Sequence, residues 1–512
     1  MMTDDVYREM ESVVGEENIS REPAILDSYA FQPFHRAEPG SWIHRPAAVV
    51  LPGSTGEVQQ IVKICHRNKV SYKAHSTGWG AHSGPGKEGV IQIDLRRMDR
   101  ILEIDEENMY VVVEPYAICA QVQAELMKRG LNLHIIGAGS STSPLAACTS
   151  HMGMGFTGVS MGYSGRSVLG VEWVLPDGEL LRLGSLGSGS GWFCGDGPGP
   201  SLRGIMRGWA GYDGGLGVFT GVAIKTFHWP GPREPEVEGL LFDTKTEVPD
   251  NFKVFLCYFP DYERWADAYY RIGEAEIAYI MSKNPIGAMI WAFTPHLMRK
   301  ITDMPAIKTA LKAAQHGCHV MIAANSPGDL DYQVKTLKRI IEETEGVLID
   351  VKPPFESMLW WSGVRVSAVQ AIFRPGGTFF VGLGGDEAVD NTMLQAKFGE
   401  KIKQDFIDRG LIYDDLADVM WGGLYEQGLF NHQEEIMIFN ARDPRQAKAP
   451  EEFAKACART AVEEHLGGIG FALFGGEKMH DLFSPVTSDY YKWEKKIKET
   501  WDPDDLSNQT FR

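Results

Sequence analysis

Between Lys73 and Gly86 the chain reads KAHSTGWGAHSGPG, with glycine at 78, 80, 84 and 86. Where glycine lets the backbone turn tightly, successive main-chain N–H groups converge, and no Cβ keeps a phosphate from reaching them. The chemistry open to such a loop is anion binding by backbone dipoles. Its spacing is not the G-x-G-x-x-G of a Rossmann dinucleotide site, and no helix is expected to start there. Glycine makes up 56 of the 512 residues, and the glycines cluster.

Metal and nucleic-acid chemistry find no comparable pattern. The seven cysteines, at 65, 119, 148, 194, 257, 318 and 457, include no C-x-x-C pair, so neither a zinc ribbon nor an iron–sulfur cluster is indicated. A dispersed, odd set fits reduced thiols in a cytoplasmic protein. Lys and Arg number 50 against 68 Asp and Glu, a formal charge of −18 with no basic run. That balance argues against nucleic acid as a partner. The acidic opening MMTDDVYREMESVV has no apolar run, so no signal peptide is expected. The most apolar stretch, IAYIMSKNPIGAMIWAF, is broken by Lys283, Asn284 and Pro285, too soon to span a bilayer.

The elements that must position the loop follow from periodicity. Residues 3–35 predict a helical, polar lead-in. AVVLP predicts a buried strand, and TGEVQQIVKICHRNK a helix with Val58, Ile61, Val62 and Ile64 on one face behind a Thr N-cap. VSYKAHS, VIQIDL, RILEID and MYVVVEP predict strands. AICAQVQAELMKRG predicts a second helix closed by Gly130. VLGVEWVLPDGELLRLG predicts two strands about a turn at Pro176, Asp177 and Gly178. The stretch 184–200 predicts a surface loop, and the Pro-rich 229–239 a boundary. Beyond it, DYERWADAYYRIGEAEIAYIMS and DLDYQVKTLKRIIEETEG predict amphipathic helices, with HVMIAA, GVLIDV and TFFVGL as strands. The expected class is α+β.

Taken in order, these stretches resemble the FAD-linked oxidases of the vanillyl-alcohol oxidase / p-cresol methylhydroxylase fold. RPAAVVLPGSTGEVQQIVKICHRNKV is similar to that family's opening βαβ unit, and AHSTGWGAHSG to its pyrophosphate loop. VLGVEWVLPDGELLR, DGGLGVFTGVAIKTF and WDPDDLSN resemble its later landmarks. The resemblance implies an FAD-binding domain of two α+β subdomains over 43–230, after a lead-in at 1–42. It implies an α+β substrate or cap domain over 240–460 and a segment at 461–512 returning to the FAD domain. Ala74, His75, Ser76, Thr77, Gly78 and Trp79 would cradle the FAD pyrophosphate. Gly139, Ser140, Ser141, Thr142 and Ser143 would follow the dinucleotide, and Ser150, His151, Met152 and Gly153 would lie along the flavin. Asp213, Gly214, Gly215, Leu216, Gly217, Val218 and Thr220 would contact the adenine and ribitol region.

The chain also departs from relatives that this resemblance brings in. Some attach FAD through histidine. One such position falls on Thr77, and the other on Gln433 with His432 just before it, so noncovalent FAD is expected. The phenol-oxidising branch holds a phenolate with tyrosines and an arginine and uses a carboxylate as acid–base. Trp79, Ala472, Leu473 and Tyr163 stand at those places, which removes most of the charge stabilisation a phenolate needs. The chain resembles the glycolate oxidase FAD subunit too. LWWSGVR offers Arg365 as a carboxylate clamp, whereas VGLGGDEAVD lacks the histidines of that branch's metal motif, so no metal is expected. In EEHLGGIG, Glu464 and His465 are expected to end a helix.

The resemblance implies an oxidoreductase that takes a hydride from a carbon bearing oxygen to flavin N5. The substrate would be a small alcohol, hydroxy acid or aromatic compound. Tyr163 or His432 would accept the proton and Arg365 would orient the substrate. Trp360, Trp361, Trp421, Tyr425 and Phe430 suit an apolar substrate and equally suit core packing. An electron-acceptor protein and a second copy of the chain are candidate partners. Two rivals stay open at this point: a non-catalytic flavin-fold subunit, and a non-redox flavoenzyme resembling alkyldihydroxyacetonephosphate synthase.

Overall fold

Short runs of Val and Ile near the start of the chain are buried on both sides and form a parallel sheet, as covered parallel strands must. The computed structural model describes every residue except 1, 31–42, 79–82, 135–138, 151–152, 185–190, 193–215, 240–243, 284, 294, 366–378, 419, 468–476 and 508–512. In this sheet Ala48–Val50 and Tyr72–His75 flank Ile91–Asp94, all parallel, and helix Thr55–Asn68 makes the crossover between the outer two. Ser54, not Thr55, caps that helix. Its backbone is extended and its hydroxyl accepts the Glu57 N–H at 3.2 Å, while Thr55 is already helical. The lead-in is also not purely helical. After helix Asp4–Val14, Ile19–Ser20 pairs antiparallel with Ala48–Val50 and shields that edge.

A second, antiparallel sheet runs in the order Ile101–Asp105, Tyr110–Val113, Val218–Lys225, Val168–Val174, Leu180–Leu183. Helix Cys119–Met127 ends at a Lys128 cap, two residues before Gly130. Trp173 fills the core of this layer and stacks on Trp501 with centroids 5.6 Å apart. Trp501 closes helix Tyr490–Trp501. Just beyond it, Leu506 accepts the Tyr72 N–H at 2.9 Å and the Ser507 hydroxyl donates to the Tyr72 hydroxyl at 2.7 Å. The end of the chain is thereby bound to the first sheet.

The second half builds one seven-stranded antiparallel sheet. Its order is Val347–Asp350, Phe252–Tyr258, Gly317–Ala323, Ile280–Lys283, Trp421–Tyr425, Phe430–Ile438, Phe379–Glu387. The stretch 261–282, expected as one helix, breaks at Glu274. Helix Tyr262–Glu274 keeps a polar face, but the apolar run from Ile277 has none to offer solvent and leads into the sheet as strand Ile280–Lys283. Helices Tyr262–Glu274, Pro327–Glu343 and Val389–Asp408 bury Trp265, Leu337 and Ala396 against this sheet. Helix Ala449–Glu463 stops where expected, with Glu464 as its cap and His465 in a left-handed turn. Among the described residues no helix is long and apolar enough to cross a membrane.

Strand Phe430–Ile438 has two differently used faces, as period 2 requires. Asn431 and Glu435 point to the helices: Asn431 donates to the Thr392 hydroxyl at 3.0 Å, and Glu435 lies against Gly399. Below them Lys403, fully buried, pairs with Asp415 at 2.8 Å and donates to the Asp418 and Ile436 carbonyls. A second buried pair, Lys283–Asp418, stands at 2.7 Å. Burial raises the Glu435 carboxyl from 4.5 to about 8, against the pull of Lys403, and raises Asp415 to about 6. A carboxyl whose folded pKa is raised contributes stability below its unfolded value and loses it as pH climbs to the folded one. The contribution of these two carboxyls should therefore fall between pH 3.8 and 8, its part above pH 6 coming from Glu435. Glu435→Gln should flatten that upper part and gain roughly 2 kcal/mol at pH 8, read from melting curves across pH.

Candidate active site

The parallel strands direct their carboxyl ends to one place, where loops can gather. Strand Tyr72–His75 runs into Ser76, Thr77 and Gly78. The Thr77 hydroxyl accepts the Ser143 N–H at 3.0 Å and so ties this loop to residues 139–143. That second loop is fixed from behind. The Ser140 and Thr142 carbonyls accept N–H groups of Ala120 and Cys119 at the start of helix Cys119–Met127, and the Thr142 hydroxyl donates to Gly139. Ser143 caps the short helix Pro144–Thr149 through its hydroxyl.

Two glycines make the cradle possible. Gly78 has φ +77°, and a Cβ there would come 2.8 Å from the His75 ring. Gly153 has φ +63°, and a Cβ would come 2.4 Å from the Ser164 hydroxyl and 3.1 Å from Ala147. Both are left-handed conformations that side chains oppose. His75 itself is turned inward: its ring is buried, edge-on to Tyr29 at 5.6 Å, and burial lowers its pKa. It holds the loop from below and offers no charge to an anion. Beneath it Asp94 is fully buried, bonded by Arg96 at 2.6 Å and by the Tyr29 hydroxyl. Trp79, His151, Met152, Asp213, Gly214, Gly215, Ala472 and Leu473 lie outside the described residues.

Leu216, Gly217, Val218 and Thr220 are committed elsewhere. The Leu216 carbonyl accepts the Trp173 indole N–H at 2.6 Å, and the Gly217 N–H goes to the Ser507 hydroxyl at 2.8 Å. Val218 and Thr220 are buried in the second sheet, with the Thr220 hydroxyl turned to Glu172. Gly217 thus helps seat the chain's end, while the Leu216 carbonyl and the Thr220 hydroxyl bind within the second sheet.

The segment after Gly153 meets the seven-stranded sheet through aromatic rings. The fully buried Tyr425 hydroxyl accepts the Gly155 N–H at 2.6 Å and donates to the Gly155 carbonyl at 2.8 Å. Phe430 stacks on Tyr425 with centroids 5.0 Å apart and meets Tyr163 edge-on at 6.0 Å. Phe156 meets Trp421 in the same manner at 6.1 Å. Arg166 lies over the Tyr163 ring at 5.5 Å and pairs with Glu426 at 3.0 Å. Trp360, by contrast, is a core residue, fully buried and edge-on to Phe252.

Tyr163 and His432 are thus brought into one cluster, but His432 is not free to accept a proton. It lies on the same face of its strand as Phe430 and Glu434, opposite Asp386 of the neighbouring strand. One ring nitrogen, Nδ1, stands 2.7 Å from Asp386, and Nε2 stands 3.1 Å from Glu434. Burial would lower its pKa, yet the two carboxylates outweigh that and raise it to about 10. It is an imidazolium with both N–H groups spoken for. His134, which nothing in the sequence singled out, has the opposite setting. It is also edge-on to Tyr425, at 6.1 Å, with Nδ1 2.9 Å from the Thr157 hydroxyl, and burial lowers its pKa to about 3. Asp386 and Glu434 were equally unmarked. The alternation in NHQEE could have placed Glu434 beside His432, but Asp386 needed the strand register.

Arg365 is not joined to that cluster by these contacts. It closes helix Phe355–Val364, its N–H on the Trp361 carbonyl at 3.2 Å, and burial lowers its pKa. One link toward the junction runs through its neighbour: Gln123 bonds both the Val364 carbonyl, at 3.0 Å, and Asn132, at 3.1 Å, two residues before His134. Among the described residues no group of His, Cys, Asp and Glu is arranged to hold a metal ion.

Residues 46–184 match the family model described as the FAD binding domain. The 1'-carboxy-chondrochloren decarboxylase of Chondromyces crocatus is 32% identical over 218 residues, 40% of this chain and 37% of that protein. The glycolate oxidase subunit GlcD of Bacillus subtilis is 28% identical over 228 residues, 44% and 45%. The matched stretches therefore span less than half the length of these curated relatives. The crystal structure of p-cresol methylhydroxylase with substrate bound superposes with a TM-score of 0.75 at 17% identity, covering 98% of this chain and 95% of that one.

The residues present suit FAD: glycines in left-handed backbone that have no room for a Cβ, two loops locked together by Thr77 and Ser143, and helix Cys119–Met127 bracing the second loop. Gly153→Ala should weaken FAD binding by roughly tenfold, about 1.4 kcal/mol, because a Cβ strains the backbone and strikes Ser164; fluorescence titration of the apoprotein with FAD measures this. Residues 46–184 are an FAD binding domain of that family, with FAD as its cofactor, set in a chain that has the p-cresol methylhydroxylase fold.

Proposed function

We propose that the protein is an FAD-dependent oxidoreductase that removes a hydride from a carbon bearing oxygen. When bound, FAD supplies the acceptor for that hydride. The observation that carries the reading is the junction itself. The glycine segment ending at Gly155 and the face bearing Tyr425, Phe430 and His432 are held together by the Tyr425 hydroxyl. A flavin along the first would face aromatic rings and a charged cluster on the second.

The chain's own groups then have distinct tasks in this reading. Backbone N–H groups at 76–78 and 139–141 hold the diphosphate, and the Ser143 N–H, bonded to Thr77, keeps the two loops in register. Half-buried Phe156, Tyr163, Trp421 and Phe430 exclude water and flank the substrate. His432 keeps its charge and fixes two carboxylates. The proton from the substrate hydroxyl passes to Glu434, because an acceptor needs a lone pair and the imidazolium has none. Arg365 remains a candidate for orienting a substrate from the edge of the junction, by donating hydrogen bonds to an uncharged oxygen and not by clamping a carboxylate. The relatives' names span a decarboxylase and a glycolate oxidase subunit, so in this reading the substrate is set by this chain's own seven-stranded sheet.

FAD is noncovalent in this reading. A histidyl link needs a ring nitrogen with a free lone pair, and both nitrogens of His432 face carboxylates. Gln433 lies on the opposite face of the strand. Denaturation followed by ultrafiltration should leave the yellow colour in the filtrate; colour retained with the chain would refute this. Anaerobic mixing with panels of alcohols, hydroxy acids and phenols should bleach the flavin absorbance for at least one class. Bleaching by none would remove the oxidoreductase reading.

A further inference from the structure

The wall formed by the seven-stranded sheet has a definite charge. Arg166 is matched by Glu426 at 3.0 Å. His432 is matched twice, by Asp386 at 2.7 Å and Glu434 at 3.1 Å. Among the described residues that meet there, three carboxylates therefore stand against two cations, and the surplus charge is negative. Neither carboxylate at His432 is withdrawn from the surface: the Asp386 side chain is 22% exposed and that of Glu434 30%, whereas the imidazolium between them is 7% exposed. A molecule seated among Phe156, Tyr163, Trp421 and Phe430 meets ring faces and carboxylate oxygens, with the imidazolium's N–H groups turned to those oxygens and not to the molecule.

We propose that this site admits an uncharged substrate and turns away carboxylates, with Glu434 setting the preference. This rests on the reading that the aromatic face is the substrate wall. A 2-hydroxy acid would bring a third carboxylate to a place where the one imidazolium is already shared by two. Partial desolvation between aromatic rings strengthens that repulsion, because little water remains to screen it. An alcohol without a carboxylate meets no such cost, and its hydroxyl can donate to Glu434.

Benzamide and benzoate have the same ring and nearly the same shape, and differ in charge. Each would be titrated into the FAD-loaded protein at pH 7.5 and fixed ionic strength, with the flavin absorbance as the reading. Benzamide should bind at least tenfold more tightly. In Glu434→Gln the ratio of the two dissociation constants should fall at least fivefold, and Asp386→Asn should move it in the same direction. Benzoate binding as tightly as benzamide would overturn the proposal, as would a ratio that neither substitution moves. Failure of both probes to perturb the flavin would overturn it as well, since the aromatic face would then not receive ligands. Equal binding of the probes together with flavin reduction by an alcohol would sink the charge preference alone. A clear preference for benzamide with reduction by no alcohol would sink the oxidoreductase reading instead.

Discussion

The Tyr425 hydroxyl is the joint on which this molecule turns. It is fully buried and bonded to both the N–H and the carbonyl of Gly155. A buried hydroxyl without partners is costly, so these two bonds hold the sheet of the second half in one position against the glycine segment of the first. Everything near the junction takes its place from that contact. Phe430 stacks on the same ring, Tyr163 meets Phe430, and both His134 and His432 stand edge-on to Tyr425.

The two histidines show how surroundings set chemistry. Each lies beside the same tyrosine and each is buried. Burial without a charged partner keeps His134 neutral, while burial between two carboxylates makes His432 a lasting cation. A histidine that is already protonated and doubly bonded is an anchor for its neighbours. That moves attention from the imidazole to the carboxylates it holds, and from them follow both the proton acceptor and the charge preference.

The strand that carries His432 also separates two kinds of polar environment. Its other face leads to Lys403, Asp415 and Glu435, all fully buried. Such pairs contribute little net stability for the desolvation they require, but losing one partner is severe. Lys403 bonds the carbonyl of Ile436 and that of Asp418, so this cluster fixes the strand from behind while Tyr425 fixes the sheet from the front.

The sequence alone carried the α+β class and most strands, because these depend on local patterns, while the cofactor followed from the resemblance of the ordered stretches to a known family. Alternating or continuous apolar runs mark strands. Glycine clusters mark backbone that must approach an anion, and Pro-Asp-Gly marks a turn. It also put Tyr163 and His432 forward. It missed that 261–282 divides into a helix and a strand, since a run without a polar face reads alike in either state until its neighbours are known. Only the tertiary structure decided that Gly217 binds Ser507 near the chain's end, that Asp386 stands opposite His432, and that Trp360 is core. Each of those is a long-range pairing, fixed by strand register or by the return of distant residues, and no local spacing encodes it. Residue types gave the chemistry at hand; the pairing of strands far apart in the chain chose which atoms are left to perform it.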